Sequence, residues 1–591
     1  MLGILVKRHT LLILSTLLLA ACGGGGGNGG GFDPGGGNGG GGGGTTVTVS
    51  GTVSYEFVPP NPNCSGLNFS ATIVRPIRGA TVVLLNSTGA ELDRMSSSDN
   101  GAYSFAGVAA NTTVSLRVLA QSIRSGTPGW DVEVRDNVDT SAAPPPLASR
   151  PMYAVDGSLF DTGASNVTRN LTAQTGWGSS SYTGARAAAP FAMLDTIYSG
   201  MQFIAAVDPN IALPPLDVFW SVNNGSDAGG FNIDTGELGG SFYVFGANSL
   251  FITGDATFNT SEFDDHIVGH EWGHFLDDTI FRSDSSGGTH FLGDRLDSRL
   301  AWGEGWASAL AAIFLNEPLS CSTTLPTSGG FGVNAEGGLF GGQGWFDEVG
   351  VIRFVYDLWD TTNEGTDTGS VGFQPIYEVM TSGQRSTPAW ANIFTFAIEL
   401  KAIVGPTGDA LIDAQLNDEQ TVNGSQLDIW GSNETNHGGA NDPADVLPIY
   451  LDMVADGSTM NICSDSQFDF DTPKNGNKLS EFRYIRLDVP VADQYNVTIT
   501  STTPTPPTPD TTDRDQSDPD MFIFRDGALI ANLTSPVENL ETTVPPDGLG
   551  PISMATGTYI ADLRDWRYAD PEQPTSYPAR VCFDVRFDPT P

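Results

Sequence analysis

His270-Glu271-Trp272-Gly273-His274 is the stretch on which the reading of this chain turns, together with Gly303-Glu304-Gly305-Trp306 further on. On a helix, residues four apart lie on one face, so His270 and His274 can turn their imidazoles toward one point. Two imidazoles at a point suit a divalent ion, zinc above all. Glu271 then stands beside the ion rather than on it, where it can take a proton from water. A catalytic zinc site takes three protein ligands and leaves a position open, and Glu304, thirty positions after His274, is the candidate third.

Ile267-Val268-Gly269 before the pentapeptide and Phe275-Leu276 after it give the apolar alternation of a buried amphipathic helix. Its start is expected near Thr260 or Ser261, with a second helix over 297–316. His266 shares the stripe of His270 and His274 but lies eight residues from His274, about 12 Å along the axis, too far to share an ion. The metzincin pattern requires glycine at position 277 and histidine at position 280, where this chain has Asp277 and Ile280, so that class is excluded. Gly303 and Gly305 beside Glu304 suit a close approach between helices.

With these residues in view, the chain resembles the gluzincin peptidases, the thermolysin-like class, with the Gly-Glu-Gly-Trp context nearest the fungalysin branch. The likeness covers about 265–308. It implies that His270, His274 and Glu304 bind Zn2+ and that Glu271 is the general base for hydrolysis of a protein or peptide substrate. Those families carry an aspartate four residues after the ligand glutamate; here the position is Ser308, and Asp277 or Asp278 is the expected substitute behind a zinc histidine. The calcium-binding aspartate expected before the metal helix is displaced, which leaves Ca2+ an open cofactor. As donor to a tetrahedral oxyanion the reading selects His437, in Asn436-His437-Gly438-Gly439, with Tyr356 and Arg353 behind it. A substrate is expected to add as a strand along 241–245, which favours endopeptidase action.

The N-terminus reads as an export signal. Lys7 and Arg8 precede an apolar run, and Leu19-Ala20-Ala21-Cys22 resembles the lipobox of bacterial lipoproteins, which implies lipidation at Cys22 and anchorage at the outer membrane or cell surface. Residues 23–44 contain seventeen glycines and read as a flexible tether reaching roughly 25 Å. The formal net charge of −42 and only four lysines leave no basic surface for nucleic acid. Cys64, Cys321, Cys463 and Cys582 suggest two disulfides, with Cys321–Cys463 the expected pair.

The expected architecture is multidomain, with a central α+β zincin-like domain between two all-β sandwiches. Residues 1–22 form the signal and 23–44 the tether. Residues 45–125 form a sandwich resembling carboxypeptidase regulatory-like modules, through Ile77-Arg78-Gly79-Ala80-Thr81-Val82 and Asp99-Asn100-Gly101-Ala102-Tyr103-Ser104-Phe105. Residues 126–186 form a connecting or pro-region-like segment, 187–463 the metallopeptidase domain, and 464–591 a sandwich like those ending many secreted peptidases. Two rival functions stand beside the peptidase: an idle adhesion or scaffold lipoprotein, and a metallo-aminopeptidase. Intact Glu271 weighs against the first, and no motif for binding a free amine is visible for the second.

Overall fold

The computed structural model describes residues 45–590 apart from 338–341, 363–367, 440–445, 472–474, 503–516, 537–538, 546–547, 549 and 570–579. The signal, Cys22 and the tether lie outside the described residues. The chain is multidomain, with many β-sheets and fewer helices.

Residues 45–125 do not close on themselves as a separate sandwich. Ala80–Asn86, Glu91–Ser96 and Thr113–Arg124 continue through Trp130–Arg135 into Leu216–Trp220, Ser249–Ile252 and Phe242–Val244, all in one nine-stranded sheet. The segment expected to be a connector therefore supplies a central strand. Its alternation explains this: Trp130, Val132 and Val134 are buried while the residues between them are only half-buried. Phe242–Val244 ends the sheet, paired antiparallel with Ser249–Ile252.

Four helices matter for the site: α1 (Ala189–Val207), α2 (Asp265–Thr279), α3 (Ser298–Leu315) and α4 (Glu348–Trp359). They share one apolar core with the N-terminal strands, reaching from Val47 through Trp272 and Trp306. The helix α2 starts later than 260–261, because Asp264 spends its carboxylate on Thr323 N and Oγ1, 2.7 Å each. The N-cap Asp297 of α3 accepts from Arg299 N, and Asn316 closes the helix in the left-handed region at φ 52°.

The C-terminal sandwich begins before 464. Tyr450–Val454 and Thr459–Asp465 already belong to its two sheets, and its core, from Met453 to Phe587, is separate from the larger one. It docks on the start of α3 through buried pairs: Arg299 Nη1 with Asp562 Oδ2 at 2.8 Å, and the Tyr484 hydroxyl with Asp297.

The disulfides are Cys64–Cys321 and Cys463–Cys582, not Cys321–Cys463. Cys463 and Cys582 are direct partners across the antiparallel strands Thr459–Asp465 and Arg580–Pro589. Cys64 lies in a loop against Gly330 and Gly332, beside the strand that carries Cys321. Distance along the chain gave no hint of either neighbour.

Candidate metal centre

The two histidines are brought together by α2 alone, and the glutamate arrives on α3. The helices can approach because α2 presents glycine where α3 crosses it. A Cβ on Gly273 would stand 3.0 Å from both Cα and Cβ of Ala307, and one on Gly269 2.9 Å from Ala311 Cβ. The glycines beside Glu304 serve otherwise. Gly305 meets α4, where a Cβ would lie 2.5 Å from Val351 Cβ, and Gly303 faces only Ser285 at ordinary contact.

The result is a triangle of donor atoms. His270 Nε2 and His274 Nε2 are 3.1 Å apart, and Glu304 Oε2 is 3.2 Å from the first and 3.4 Å from the second. Donors about 2.0–2.2 Å from one tetrahedral ion lie about 3.3–3.6 Å apart, so these three fit a zinc-sized ion after shifts of about 0.2 Å. His270, Glu271 and His274 also offer ligand atoms within 4.8 Å of one another. Glu304 Oε2 is thus within 3.4 Å of both ring nitrogens from a separate helix, while Glu271 stands beside them on α2 itself. All four side chains are buried.

The electrostatics draw positive charge to this point. Burial disfavours the charged form of His270. Burial also opposes charge on His274, but the carboxylates of Glu304, Asp277 and Glu271 around it together outweigh that and raise its pKa well above the usual value. Glu304 stays ionised well below the carboxylate range despite its burial, held there by His290, His274 and His270. Burial pushes the Glu271 carboxyl up to about 8, with His274 opposing and Glu304 adding to the rise.

The supporting hydrogen bonds depart from the expectation in part. Ser308, standing where an aspartate was expected, shares a hydrogen bond with His270 Nδ1 at 2.9 Å. Asp277 lies 3.9 Å from His274 Nδ1, near enough to orient it electrostatically. Asp278 is otherwise engaged: it accepts from the Tyr243 hydroxyl at 2.7 Å and from Gly246 N, tying the sheet's edge strand to the end of α2. His266 is buried, its Nε2 donating to the Glu317 carbonyl at 2.8 Å.

His437 is not joined to His270, Glu271, His274 or Glu304 by any hydrogen bond or ion pair among the described residues. Its loop packs instead near Trp345, Phe346 and Arg295. Arg353 is 3.7 Å from Glu419. The residues that do reach the centre are ones the sequence reading passed over. His290 Nε2 stands 3.6 Å from Glu304 Oε2, and Glu348 Oε2 is 3.6 Å from the same nitrogen. Gly287-Gly288, both at positive φ just before His290, are the local signal of a shaped loop that could have drawn attention to it.

Phe245 follows the edge strand and lies 6.0 Å, ring to ring, from His274. Beyond it a cleft of about 370 Å³ is lined by Asp277, Asp278, Arg282, Arg385 and the hairpin tip 526–528 of the C-terminal sandwich. No helix among the described residues is long and apolar enough to cross a membrane.

No protein-family model matches the chain, and no curated protein matches it. Among solved structures, the pre-peptidase C-terminal domain of a collagenase from Bacillus anthracis aligns with 24% of this chain and 94% of its own, at 6% identity and a TM-score of 0.15.

Proposed function

We propose that the chain is a zinc-dependent endopeptidase with the α+β zincin-like arrangement of the gluzincins, held at a bacterial surface by a lipid on Cys22. One observation carries the reading: the donor triangle of His270, His274 and Glu304, with edges of 3.1, 3.2 and 3.4 Å, beside a buried glutamate on the same helix. When bound, zinc would supply Lewis acidity toward a carbonyl and acidify water.

The chain's own residues account for the remaining steps. His270 is oriented by Ser308 and His274 by Asp277, so both Nε2 atoms face the same point. Glu271, with a carboxyl made basic by burial, takes a proton from water and returns it to the leaving amine. The Tyr243 backbone lies close enough to oppose the rise in the Glu271 carboxyl, so the base sits against the strand that ends the sheet. A peptide laid along that strand in extended form would pass its carbonyls across the base, which favours cleavage within a chain over removal of its first residue.

Glu271→Gln keeps the shape of the side chain and removes the base. Purified wild type is expected to bind zinc and hydrolyse casein, and the variant to bind zinc with hydrolysis lowered at least a thousandfold, roughly the scale of a lost acid–base group. Equal hydrolysis by both proteins, or none by wild type with zinc bound, would sink the peptidase reading.

A further inference from the structure

His290 and Glu348 press against Glu304, and the mechanism above gives neither a task. Both are buried, at 1% and 2% exposure. His290 lies in the segment between α2 and α3, and Glu348 opens α4, so three separate elements converge here. His290 Nδ1 is 3.1 Å from the Gly288 carbonyl. A carbonyl can only accept, so Nδ1 carries a proton and Nε2 is the ring nitrogen left facing outward.

Nε2 faces two carboxylate oxygens, Glu304 Oε2 and Glu348 Oε2, at 3.6 Å each. These separations are too long for hydrogen bonds. His290 Nε2 has no hydrogen-bond partner among the described residues, and neither oxygen of Glu348 has one. The ion-pair contacts of Glu304 and Glu348 among the described residues are all with histidines. Two carboxylates and an imidazole nitrogen gathered in a water-poor space call for a cation among them, and a proton on Nε2 would draw a carboxylate oxygen to hydrogen-bond distance, which neither reaches. An ion about 2.0–2.2 Å from nitrogen and oxygen donors holds them about 3.3–3.6 Å apart, which the two separations from His290 Nε2 match.

We propose that His290, Glu348 and Glu304 form a second divalent-cation site beside the first, with Glu304 the carboxylate shared between them. One imidazole and two carboxylates make a harder donor set than two imidazoles and one carboxylate. The second site therefore takes zinc or manganese and holds them less tightly than the first holds zinc. A shared carboxylate keeps the two ions close, the arrangement in which paired ions act on one substrate from two sides. The placement of the first ion rests on the reading under Proposed function.

The test counts ions rather than turnover. The full chain is stripped with chelator and titrated with Zn2+, and bound metal per chain is measured by calorimetry and elemental analysis. Wild type is expected to take two ions, and His290→Ala and Glu348→Gln one each with near-ultraviolet circular dichroism unchanged. A His270→Ala/His274→Ala double variant should also take one. Wild type loaded with Co2+ gives a readout that needs no variant: two ions bridged by one carboxylate couple magnetically and weaken the paramagnetic signal per cobalt, relative to a half-loaded sample. One zinc per chain in wild type overturns the second site and leaves the peptidase reading standing. None overturns both. Two zincs retained by Glu348→Gln and His290→Ala alike place the second ion elsewhere and overturn the assignment.

Discussion

Gly303 and Gly305 flank the same carboxylate, and the fold makes opposite demands on them. A Cβ at 305 would stand 2.5 Å from Val351 Cβ, 2.6 Å from its Cγ1 and 2.8 Å from the Glu348 carbonyl oxygen. Carbon atoms pack comfortably at about 3.5–4.0 Å, so Gly305→Ala requires α3 and α4 to part by about 1 Å. Overpacking of this kind costs about 1–3 kcal/mol, and the helix propensity of alanine returns about 1 kcal/mol, for a net loss of about 0–2 kcal/mol. The larger effect falls on the metal. Glu304 is the residue before Gly305, and a donor set tolerates displacements of only about 0.2 Å, so a shift several times larger should lower zinc affinity tenfold or more. At 303 a Cβ would meet Ser285 Cβ at 3.5 Å and Oγ at 3.8 Å, both ordinary contacts. Gly303→Ala should therefore gain up to about 1 kcal/mol and leave zinc binding alone. The assay pairs urea denaturation of the metal-free proteins with chelator competition for zinc. If the two variants behave alike in zinc affinity, the placement of α3 between the metal helix and α4 is wrong.

Two further outcomes follow from single contacts. Ser308→Ala removes the hydrogen-bond partner of His270 Nδ1 at 2.9 Å and should weaken zinc binding about 10–100-fold with little change in the apo protein's urea midpoint; unchanged affinity would show that the serine does not orient the ring. Burial pushes the carboxyls of Asp264 and Asp520 up to about 7 each, far above the unfolded value of about 4. The native state thus binds more protons than the unfolded chain between those values, so each of these groups lowers stability as pH rises from about 4 to about 7, by up to about 1.4 kcal/mol for every pH unit crossed. Urea denaturation of chelated protein should show that decline, with a shallower slope in Asp520→Asn; stability rising across that range with an unchanged slope in the variant would refute it.

The helices of the site were legible because their signals are local. Two histidines four apart, an apolar alternation around them, and Asp297 as an N-cap are written within a few turns of chain, and α3 lies within a residue of the expected 297–316. The expected boundary at 125 failed for the opposite reason. Alternation in Trp130–Arg135 announces a strand but not which strand it pairs with. Its partners, Thr113–Arg124 and Leu216–Trp220, come from both sides of that boundary. The disulfides follow the same rule, since Cys64 and Cys321 meet across 257 positions and only the tertiary fold decides it.

His290 and Glu348 escaped the sequence reading because each has an ordinary explanation where it stands. A glutamate in the first turn of α4 looks like a partner for the helix dipole, and a histidine after Gly287-Gly288-Thr289 looks like a loop residue at the surface. Both explanations assume water, and both side chains are buried. A carboxylate in the first turn of an exposed helix gains at most about 1 kcal/mol from the dipole, far less than several kcal/mol for taking it out of solvent without a partner. The burial of Glu348 therefore calls for a counter-charge, and the histidine 3.6 Å from it already turns its Nδ1 to a carbonyl. Neither residue alone satisfies the other. The cation that would satisfy both would also touch Glu304, which links the identity of the third zinc ligand to two residues that no spacing rule connects to it.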